Sequence, residues 1–399
     1  MKITIIDLYK MSMFFYIVSL FIFENEKYAT IFSISQLLFV GLTFINIYLN
    51  KLNKKDLFLK WLYIIFTWTL IITLLNLVEF SIVTTETKIF LKNLLLILCI
   101  YLFLNITNSI KILLTAIFFG SILSSLIIVM DFNSLDQLTY DLKYSYSYRI
   151  GADLNSNPNI AALNLIFGFA VSLYYVISAR LMRNKIIFIF SSIFLIYGII
   201  LTGSRKAIVF CIIALLIQLV LKNKFYILIV SIVFSLFYVV IMNNKLLYFY
   251  IGYKFDFNLQ DTSASVALNG SDQIRSFLFE KTIQLIIDNP MGIGFGGVAH
   301  YLNVYSHNNY IEILASIGLI GFLIFYSIYF ISLKNILKKS NENLIRNLFL
   351  SCLIGLAFIE VYQVTYLYKI PMFFIASAYY FGKKEKERNL NEGKKVEKI

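Results

Sequence analysis

Residues 269–321 read NGSDQIRSFLFEKTIQLIIDNPMGIGFGGVAHYLNVYSHNNYIEILASIGLIG, and the organisation of the chain is easiest to understand from this stretch outward. The stretch closes a long polar interval in a sequence otherwise built of apolar runs. It contains Arg275, His300 and His307, and the chain has only these 2 histidines. Ionisable side chains set against long apolar runs are functional-site candidates. We therefore expect the chemistry of the protein to involve this stretch.

The composition indicates an integral membrane protein. Hydrophobic residues make up 59% of the 399 residues and charged residues 14%, with a mean hydropathy of +0.79. Many apolar runs approach the ~20 residues that a helix needs to cross a bilayer, and the alternation typical of membrane strands is absent. The predicted fold class is all-α: a polytopic transmembrane helical bundle with a large outer-face loop that contains an amphipathic helix.

Hydropathy predicts about 12 spans within a single integral membrane domain, residues 1–382. The predicted spans are 5–23, 29–49, 57–78, 89–104, 110–130, 159–179, 186–201, 207–221, 225–242, 308–332, 344–361 and 366–382. Most Lys and Arg residues fall on the side that also holds both chain ends, as the positive-inside rule expects. Both termini are therefore predicted to be cytoplasmic, with outer-face loops at about 131–158 and 243–306. The charged tail, 383–399, has no apolar residues to bury and is predicted to be disordered.

Three further features narrow the function classes. The first apolar run lacks a small-residue cleavage site, which predicts a retained helix rather than a signal peptide. The 3 cysteines lie inside apolar runs and lack the spacing of metal ligands. The simplest interpretation is that they are small residues of membrane helices. The net charge of +13 sits largely in short loops and the tail, where anionic membrane lipid explains it. No nucleic-acid partner is expected.

Arg205 is the first candidate anion ligand. It stands in TGSRKA, residues 202–207, at a predicted outer junction between two spans. The small residues Gly203 and Ser204 would let a ligand approach, and the guanidinium fork can bind phosphate oxygens bidentately. The simpler interpretation is an arginine that anchors a helix end at the membrane edge.

Arg275 is the second candidate, and it precedes a glycine-rich segment. It falls in the first turn of a helix predicted to begin at Ser271 or Asp272 and to stop before Pro290. An apolar stripe on this helix predicts that it lies at the outer interface, so Arg275 could point to a cavity or to water. The following MGIGFGG, residues 291–297, has no preceding strand and is no nucleotide-binding loop. It predicts a tight turn where the backbone passes close to a ligand or to neighbouring helices.

SHNNYIEILASIGLIG, residues 306–321, opens a predicted span with a polar cluster. An imidazole is well suited to accept a proton from a hydroxyl near neutral pH, which makes His307 the candidate general base. Asn308 is best explained as a helix cap. Asn309 and Glu312 could orient polar neighbours, bind glycan, or satisfy a buried network.

A second polar cluster ends the earlier outer loop, in RIGADLNSNPNIAALN, residues 149–164. Asn157, Pro158 and Asn159 form a turn and helix-start signal. The side chains of Asp153, Asn157 and Asn159 could also hydrogen-bond sugar hydroxyls. The sequence leaves both interpretations open.

Three of these motifs together resemble the O-antigen ligase and O-antigen polymerase superfamily of bacterial envelope glycosyltransferases. They are GSR at 203–205, Arg275 followed by NPMGIGFG at 289–296, and HNNYIEILASIGLIG at 307–321. Their order, separations and predicted placement agree with that family. The local resemblance covers about 150–332, and the earlier spans match in hydropathy alone.

The resemblance implies transfer of a glycan from a polyprenyl diphosphate carrier to an acceptor glycan, on the outer face of the bacterial cytoplasmic membrane. Arg205 and Arg275 match arginines that hold the carrier diphosphate, and His307 matches the histidine expected to activate the acceptor hydroxyl. No cofactor and no metal are expected. A chain-length regulator and a flippase are candidate partners, together with membrane lipid.

Several functions remain open at this level. A polymerase for O-antigen, capsule or exopolysaccharide is favoured, because an open tyrosine-rich outer surface suffices for a lipid-linked acceptor. An O-antigen ligase would use the same donor. A lipid-linked oligosaccharide flippase should instead place its binding residues near the bilayer midplane. A purely structural membrane scaffold would not need these polar motifs.

Overall fold

The computed structural model describes residues 4–23, 28–50, 56–76, 80–132, 157–244, 263–337 and 344–396. These residues form helices and short connections, with no strand among them. The fold class is therefore all-α, as the sequence predicted.

The helices, in chain order, are α1 (Ile5–Ile22), α2 (Ala29–Leu49), α3 (Leu57–Leu75), α4 (Phe80–Thr107), α5 (Ile110–Phe132), α6 (Pro158–Ser178), α7 (Met182–Leu201), α8 (Arg205–Leu215), α9 (Tyr226–Asn243), α10 (Ser263–Asp288), α11 (Gly297–Leu302), α12 (Asn309–Leu337), α13 (Leu344–Glu360) and α14 (Lys369–Val396). A π-helical turn, Leu216–Val220, continues α8. Each of the predicted spans overlaps one of these helices.

Eight of the described helices are long and apolar enough to cross a membrane: α1 to α7 and α12. They carry many exposed apolar side chains, such as Leu37, which is 70% exposed, and Phe190, which is 67% exposed. Such surfaces suit contact with lipid, which is as apolar as the side chains themselves. The other predicted spans lie on α8 with its π turn and on α9, α13 and the first half of α14.

The chain groups into two compact units, and the first contains Met1–Leu42, Ser109–Ala267 and Glu342–Gly355. Within it α5 packs against α1, α6 and α7, while α8 packs against α6. Ser121 lies on α5 and Gly168 on α6, and a Cβ atom on Gly168 would lie 2.1 Å from the Ser121 hydroxyl. The two helices can therefore approach this closely only because both residues are small.

The π turn lies within this first unit and places a polar side chain in an apolar environment. Gln218 is buried and donates from Nε2 to the Ala170 carbonyl at 3.0 Å and to the Ser351 hydroxyl at 3.2 Å. Because both bonds are made inside the protein, the amide is not left unsatisfied. The sequence analysis did not predict this interruption of the span.

The second unit contains Thr43–Asn108, Leu268–Asn341 and Leu356–Ile399. In it α12 packs against α3 and α14, and α4 packs against α3 and α14. Two tryptophans of α3 donate to backbone carbonyls of α12: Trp61 Nε1 to Ile324 at 2.7 Å and Trp68 Nε1 to Ile317 at 2.9 Å. These bonds fix the position of α12.

The helix α12 is broken at Gly318, and the glycine-rich turn fits into the break. Gly318 has φ 67° and ψ −179°, which interrupts the helical hydrogen bonds. The Ile293 amide donates to the Ala315 carbonyl and the Gly294 amide to the Ser316 carbonyl, both at 2.9 Å. The turn therefore satisfies carbonyls that the break would otherwise leave without partners.

Close approach explains the glycines on both sides of this contact. A Cβ on Gly292 would lie 2.7 Å from the Gly318 amide, and a Cβ on Gly318 would lie 2.6 Å from the Met291 carbonyl oxygen. Gly292 also has φ 100°, a conformation that other residues rarely adopt. The predicted tight turn is present, and what it approaches closely is the backbone of a neighbouring helix.

Two predicted element boundaries differ from the structure. The helix α10 begins at Ser263, so Ser271 and Asp272 lie inside it and do not cap it, which makes that prediction wrong. A cap residue starts a helix only where the preceding chain is not already helical. The tail predicted to be disordered from 383 is helical as far as Val396, within α14.

Candidate active site

The site in the second unit begins where α12 begins. Asn308 accepts hydrogen bonds through Oδ1 from the Tyr310 amide at 2.9 Å and the Ile311 amide at 3.3 Å. These are the amides that a helix start leaves without internal partners, so Asn308 caps α12 as predicted. Glu312 follows in the first helical turn.

His307 occupies a turn directly before this cap. Its backbone has φ 60°, a left-handed conformation that is strained for a residue with a side chain. The Ser306 hydroxyl donates to the Asn308 carbonyl at 2.9 Å and accepts from the Asn308 amide at 3.3 Å, which closes the turn around His307. Ser306 is buried, whereas His307 is exposed. The turn thus presents an imidazole at the surface.

Two carboxyl groups hold this turn from two different helices. Glu312 Oε2, on α12, accepts from the Ser306 amide at 2.8 Å. Glu86 Oε1, on α4, accepts from the Tyr305 hydroxyl at 2.7 Å. Adjacent residues of one loop are therefore each bound to a carboxyl group. The sequence analysis named Glu312 but missed Glu86. An acidic residue in an apolar helix is itself a candidate functional residue.

The Tyr305 hydroxyl donates the hydrogen bond to Glu86, and its surroundings favour the protonated form further. Burial, the hydrogen bond to Glu86 and the negative charges of Glu86 and Glu312 all raise the pKa of Tyr305 well above its ordinary value. The other oxygens, Glu86 Oε2 and Glu312 Oε1, are buried and have no hydrogen-bond partner among the described residues. Each carboxyl group therefore binds the loop through one oxygen, and its second oxygen accepts no hydrogen bond from the described residues.

Asn309 connects the turn to a second, fully internal network. It is completely buried, and its Oδ1 accepts from the Thr365 amide at 2.8 Å and the Tyr366 amide at 3.2 Å. Its Nδ2 donates to the Tyr326 hydroxyl at 2.9 Å. These bonds use the amide group inside the protein, which gives Asn309 a supporting position rather than a surface one.

Glu360 is the acceptor at the centre of that network, and the sequence analysis missed it. Its Oε1 accepts from the hydroxyls of Tyr329 and Thr365, both at 2.7 Å, and its Oε2 accepts from Tyr326 at 3.1 Å. A buried carboxyl group needs such partners to be tolerated. The network joins α12, α13 and the connection that follows α13.

Arg275 lies on α10, where it is exposed. The apolar stripe of this helix is only partly covered: Leu278 is 3% exposed, while Ile274 is 60% and Phe277 is 54% exposed. Further along α10, Leu285 and Ile286 pack against the core formed by the glycine-rich turn and α12. The helix that carries Arg275 is therefore anchored at its end nearest the turn.

The remaining predicted site residues lie in the first unit, except for Asp153, which falls outside the described residues. Arg205 is the first residue of α8 and is half-buried. Ser204 before it is 1% exposed, and its hydroxyl has no hydrogen-bond partner among the described residues. Asn157 caps α6 by accepting from the Asn159 amide at 2.8 Å, so the predicted helix start is confirmed.

The first unit thus holds Ser204 and Arg205, and the second holds Arg275 and the group 307–312. The start of α8 places the positive end of the helix dipole beside a guanidinium, a combination that suits an anion. The turn before α12 supplies an exposed imidazole, and the two preceding residues, Tyr305 and Ser306, each donate a hydrogen bond to a carboxyl group. Among the described residues no group of three His, Cys, Asp or Glu side chains could hold a metal ion.

Comparison with known families identifies this region. Residues 190–326 match the family model described as O-antigen ligase. The matched segment runs from α7 into α12 and contains both candidate arginines and His307. The comparison with curated proteins gives no match. The match confirms the resemblance read from the sequence over this segment, which is similar to the O-antigen ligase family.

Proposed function

We propose that the protein is a polysaccharide polymerase that transfers glycan repeat units from a polyprenyl diphosphate carrier to an acceptor glycan on the outer face of the bacterial cytoplasmic membrane. The observation that carries the proposal is an exposed His307 on a constrained turn, inside the segment that matches the family model. The family supports a membrane glycan transferase with a lipid-linked donor and an acceptor glycan in general terms. The repeat-unit acceptor and the diphosphate carrier are the finer steps proposed here.

In this proposal His307 is the general base. The imidazole accepts the proton from an acceptor hydroxyl as its oxygen attacks the anomeric carbon of the donor sugar. The new glycosidic C–O bond forms while the bond from that carbon to the phosphate oxygen breaks. Polyprenyl diphosphate leaves with the electron pair of the broken bond, and the proton is released from the imidazolium afterwards. No nucleotide and no redox step is needed.

Arg205 and Arg275 are proposed to bind the carrier diphosphate. Negative charge grows on the leaving group as the bond breaks, and a guanidinium fork can bind two phosphate oxygens at once. Arg205 is the first residue of α8, so the positive end of that helix dipole lies beside its guanidinium and also favours an anion. The residues proposed to bind glycan or to support the site are Asp153, Asn157, Asn159 and Ser204.

The arginine roles can be tested by substitution. Arg275→Ala and Arg205→Ala should each raise the KM for the lipid-linked donor by about tenfold or more, since a charge-assisted hydrogen bond contributes roughly 1.5–3 kcal/mol. Arg275→Lys should recover only part of the loss, because lysine keeps the charge but not the fork. Lys281→Ala, an exposed cation on the same helix, is the matched control. Full activity of both arginine variants at normal protein levels would contradict the diphosphate role.

A ligase is the second candidate, because the matching family model is described as O-antigen ligase. The two reactions use the same kind of donor and differ in the acceptor. Purified protein should be incubated with a polyprenyl diphosphate-linked repeat unit, without nucleotide sugar, and its products separated on a gel. A ladder of products supports the polymerase, whereas a single addition that needs a separate acceptor supports the ligase. Unchanged glycan that moves between the leaflets of vesicles would instead indicate a flippase.

A further inference from the structure

The loop that carries His307 contains two strained residues. Asn303 and His307 have φ values of 57° and 60°, in the left-handed region. Each such residue costs on the order of 1 kcal/mol or more, and it persists only where its surroundings impose the conformation. The structure therefore needs groups that hold this loop in place, and the hydrogen bonds identify them.

Two carboxyl groups restrain the loop by accepting hydrogen bonds from it: Glu312 is buried, and Glu86 is half-buried. Glu312 is completely buried and binds the Ser306 amide at 2.8 Å, and Glu86 binds the Tyr305 hydroxyl at 2.7 Å. Burying a carboxyl group is unfavourable, and each of these groups keeps one buried oxygen without a partner among the described residues. A serine or asparagine could accept one hydrogen bond with a smaller desolvation cost. Two carboxyl groups at adjacent loop residues are thus more than stability alone requires.

We propose that Glu312 and Glu86 are positioning residues that fix the turn 305–308 and thereby the location of the His307 imidazole. This inference rests on the proposed function, because it treats His307 as the group that reacts. Glu312 acts from α12 on the residue directly before His307, and Glu86 acts from α4 on the residue before that. The Asn308 cap holds the other side of the turn. His307 therefore lies between residues whose positions are restrained by hydrogen bonds: Tyr305 and Ser306 before it and Asn308 after it.

The chain offers a direct probe of this turn, since it contains only 2 histidines. In a His300→Gln parent, diethyl pyrocarbonate reacts with a single imidazole, and the absorbance change near 240 nm follows the modification of His307. This rate reports the exposure of the imidazole whether or not the protein transfers glycan. Transfer is measured separately with a polyprenyl diphosphate-linked repeat unit.

In this parent, Glu312→Ala should change the modification rate of His307 by about threefold or more and lower kcat by about 100-fold, as misplacement of a reacting group by ~1 Å can. The KM for the donor should stay within about threefold, because the donor sites are not altered. Glu312→Gln should recover most of both properties, since its amide oxygen can still accept from the Ser306 amide. Glu280→Ala, an exposed glutamate on α10, is the matched control.

Tyr305→Phe provides an independent variant in case Glu312→Ala does not fold. It removes only the hydroxyl that binds Glu86, and it should shift the His307 modification rate in the same direction with a smaller loss of kcat, about tenfold. Parental His307 reactivity and parental kcat in both variants would overturn the proposal. So would a loss that appears only in the KM for the donor. If the variants show the expected changes in His307 reactivity but the parent transfers no glycan, the proposed function is refuted and the positioning role stands.

Discussion

At the scale of single residues, His307 and His300 form a natural comparison. His307 lies on the strained turn before α12. His300 lies on α11, where the centroids of its ring and the Tyr301 ring are 5.4 Å apart. Because a general base contributes about 10²–10⁴-fold to a rate, His307→Ala should lower kcat by at least about 100-fold. His300→Ala should leave kcat within about twofold. Both are measured with the lipid-linked donor at equal protein levels, and equal losses in the two variants would exclude a special role for His307.

Sequence reasoning identified some residues of the site and missed others for a definite reason. Asn308 could be predicted as a cap because capping depends on residues within one turn. The partner of Tyr305 could not, because Glu86 is separated from it by more than 200 positions. Glu86 and Glu360 still carry a signal, since acidic residues in apolar helices are rarely without a role. The sequence therefore locates candidate side chains, and the fold decides which of them meet.

At the scale of elements, the junction between the glycine-rich turn and α12 predicts a large effect of small substitutions. Gly318→Ala and Gly292→Ala each place a Cβ within 2.7 Å of backbone atoms at a positive φ. We expect each to destabilise the protein by about 1–3 kcal/mol. Gly41→Ala is the matched control, because its Cβ would meet nothing within 4 Å. Apparent melting temperatures in detergent should fall for the first two variants and not for the third, and a fall shared by all three would contradict this packing.

The helix break itself shows what local sequence cannot determine. Gly318 lies in the sequence SIGLIG, and glycine is common in membrane helices that remain continuous. What breaks α12 is the approach of a turn that supplies new donors for the Ala315 and Ser316 carbonyls. The predicted span at 308–332 was therefore correct as an apolar helix and incomplete as a description of its backbone.

A second element-scale contact predicts a dependence on acid. Asp56 caps α3 and accepts hydrogen bonds from Tyr101 on α4 and Lys383 on α14, both at 2.5 Å. Burial alone would raise the pKa of Asp56, but the hydrogen bonds from Lys383 and Tyr101 and that from the Phe58 amide outweigh it and lower the pKa below its ordinary value. The resulting stabilisation is fully present above the unfolded pKa near ~3.9 and is lost as the pH falls through the lower folded pKa.

The effect of Asp56 can be separated from general acid denaturation. Asp56→Asn should lower the apparent melting temperature at pH ~7, since a charge-assisted hydrogen bond contributes roughly 1.5–3 kcal/mol. The variant should then lose less further stability than the parent as the pH falls below ~4. Asp288→Asn, at an exposed position on α10, serves as the control. Identical acid sensitivity of Asp56→Asn and the parent would contradict the assigned role.

At the scale of the whole molecule, composition was enough to predict a polytopic helical membrane protein, because apolar run length and charge reflect the bilayer directly. The grouping of the helices into two compact units was not predicted, since it depends on contacts between residues distant in sequence. Orientation across the membrane is a prediction from the distribution of basic residues. It can be tested without reference to activity.

The native cysteines make labelling suitable for that test, because Cys99, Cys211 and Cys352 are all buried. A cysteine introduced at Tyr301, which is 50% exposed, should react with an impermeant maleimide from outside intact cells or spheroplasts. A cysteine at the exposed Lys384 should react only after the membrane is opened. The reverse pattern would place the turn with His307 on the cytoplasmic side and contradict the proposed use of an outer-leaflet donor.

The most direct test of the central claim is the stoichiometry of the reaction in proteoliposomes. Purified protein is given a polyprenyl diphosphate-linked glycan and an acceptor glycan, with no nucleotide sugar, and both new glycosidic bonds and released polyprenyl diphosphate are counted. We expect one polyprenyl diphosphate for each bond formed, and neither product with His307→Ala. Bond formation only when a nucleotide sugar is supplied, or movement of intact donor without any bond formation, would contradict the claim.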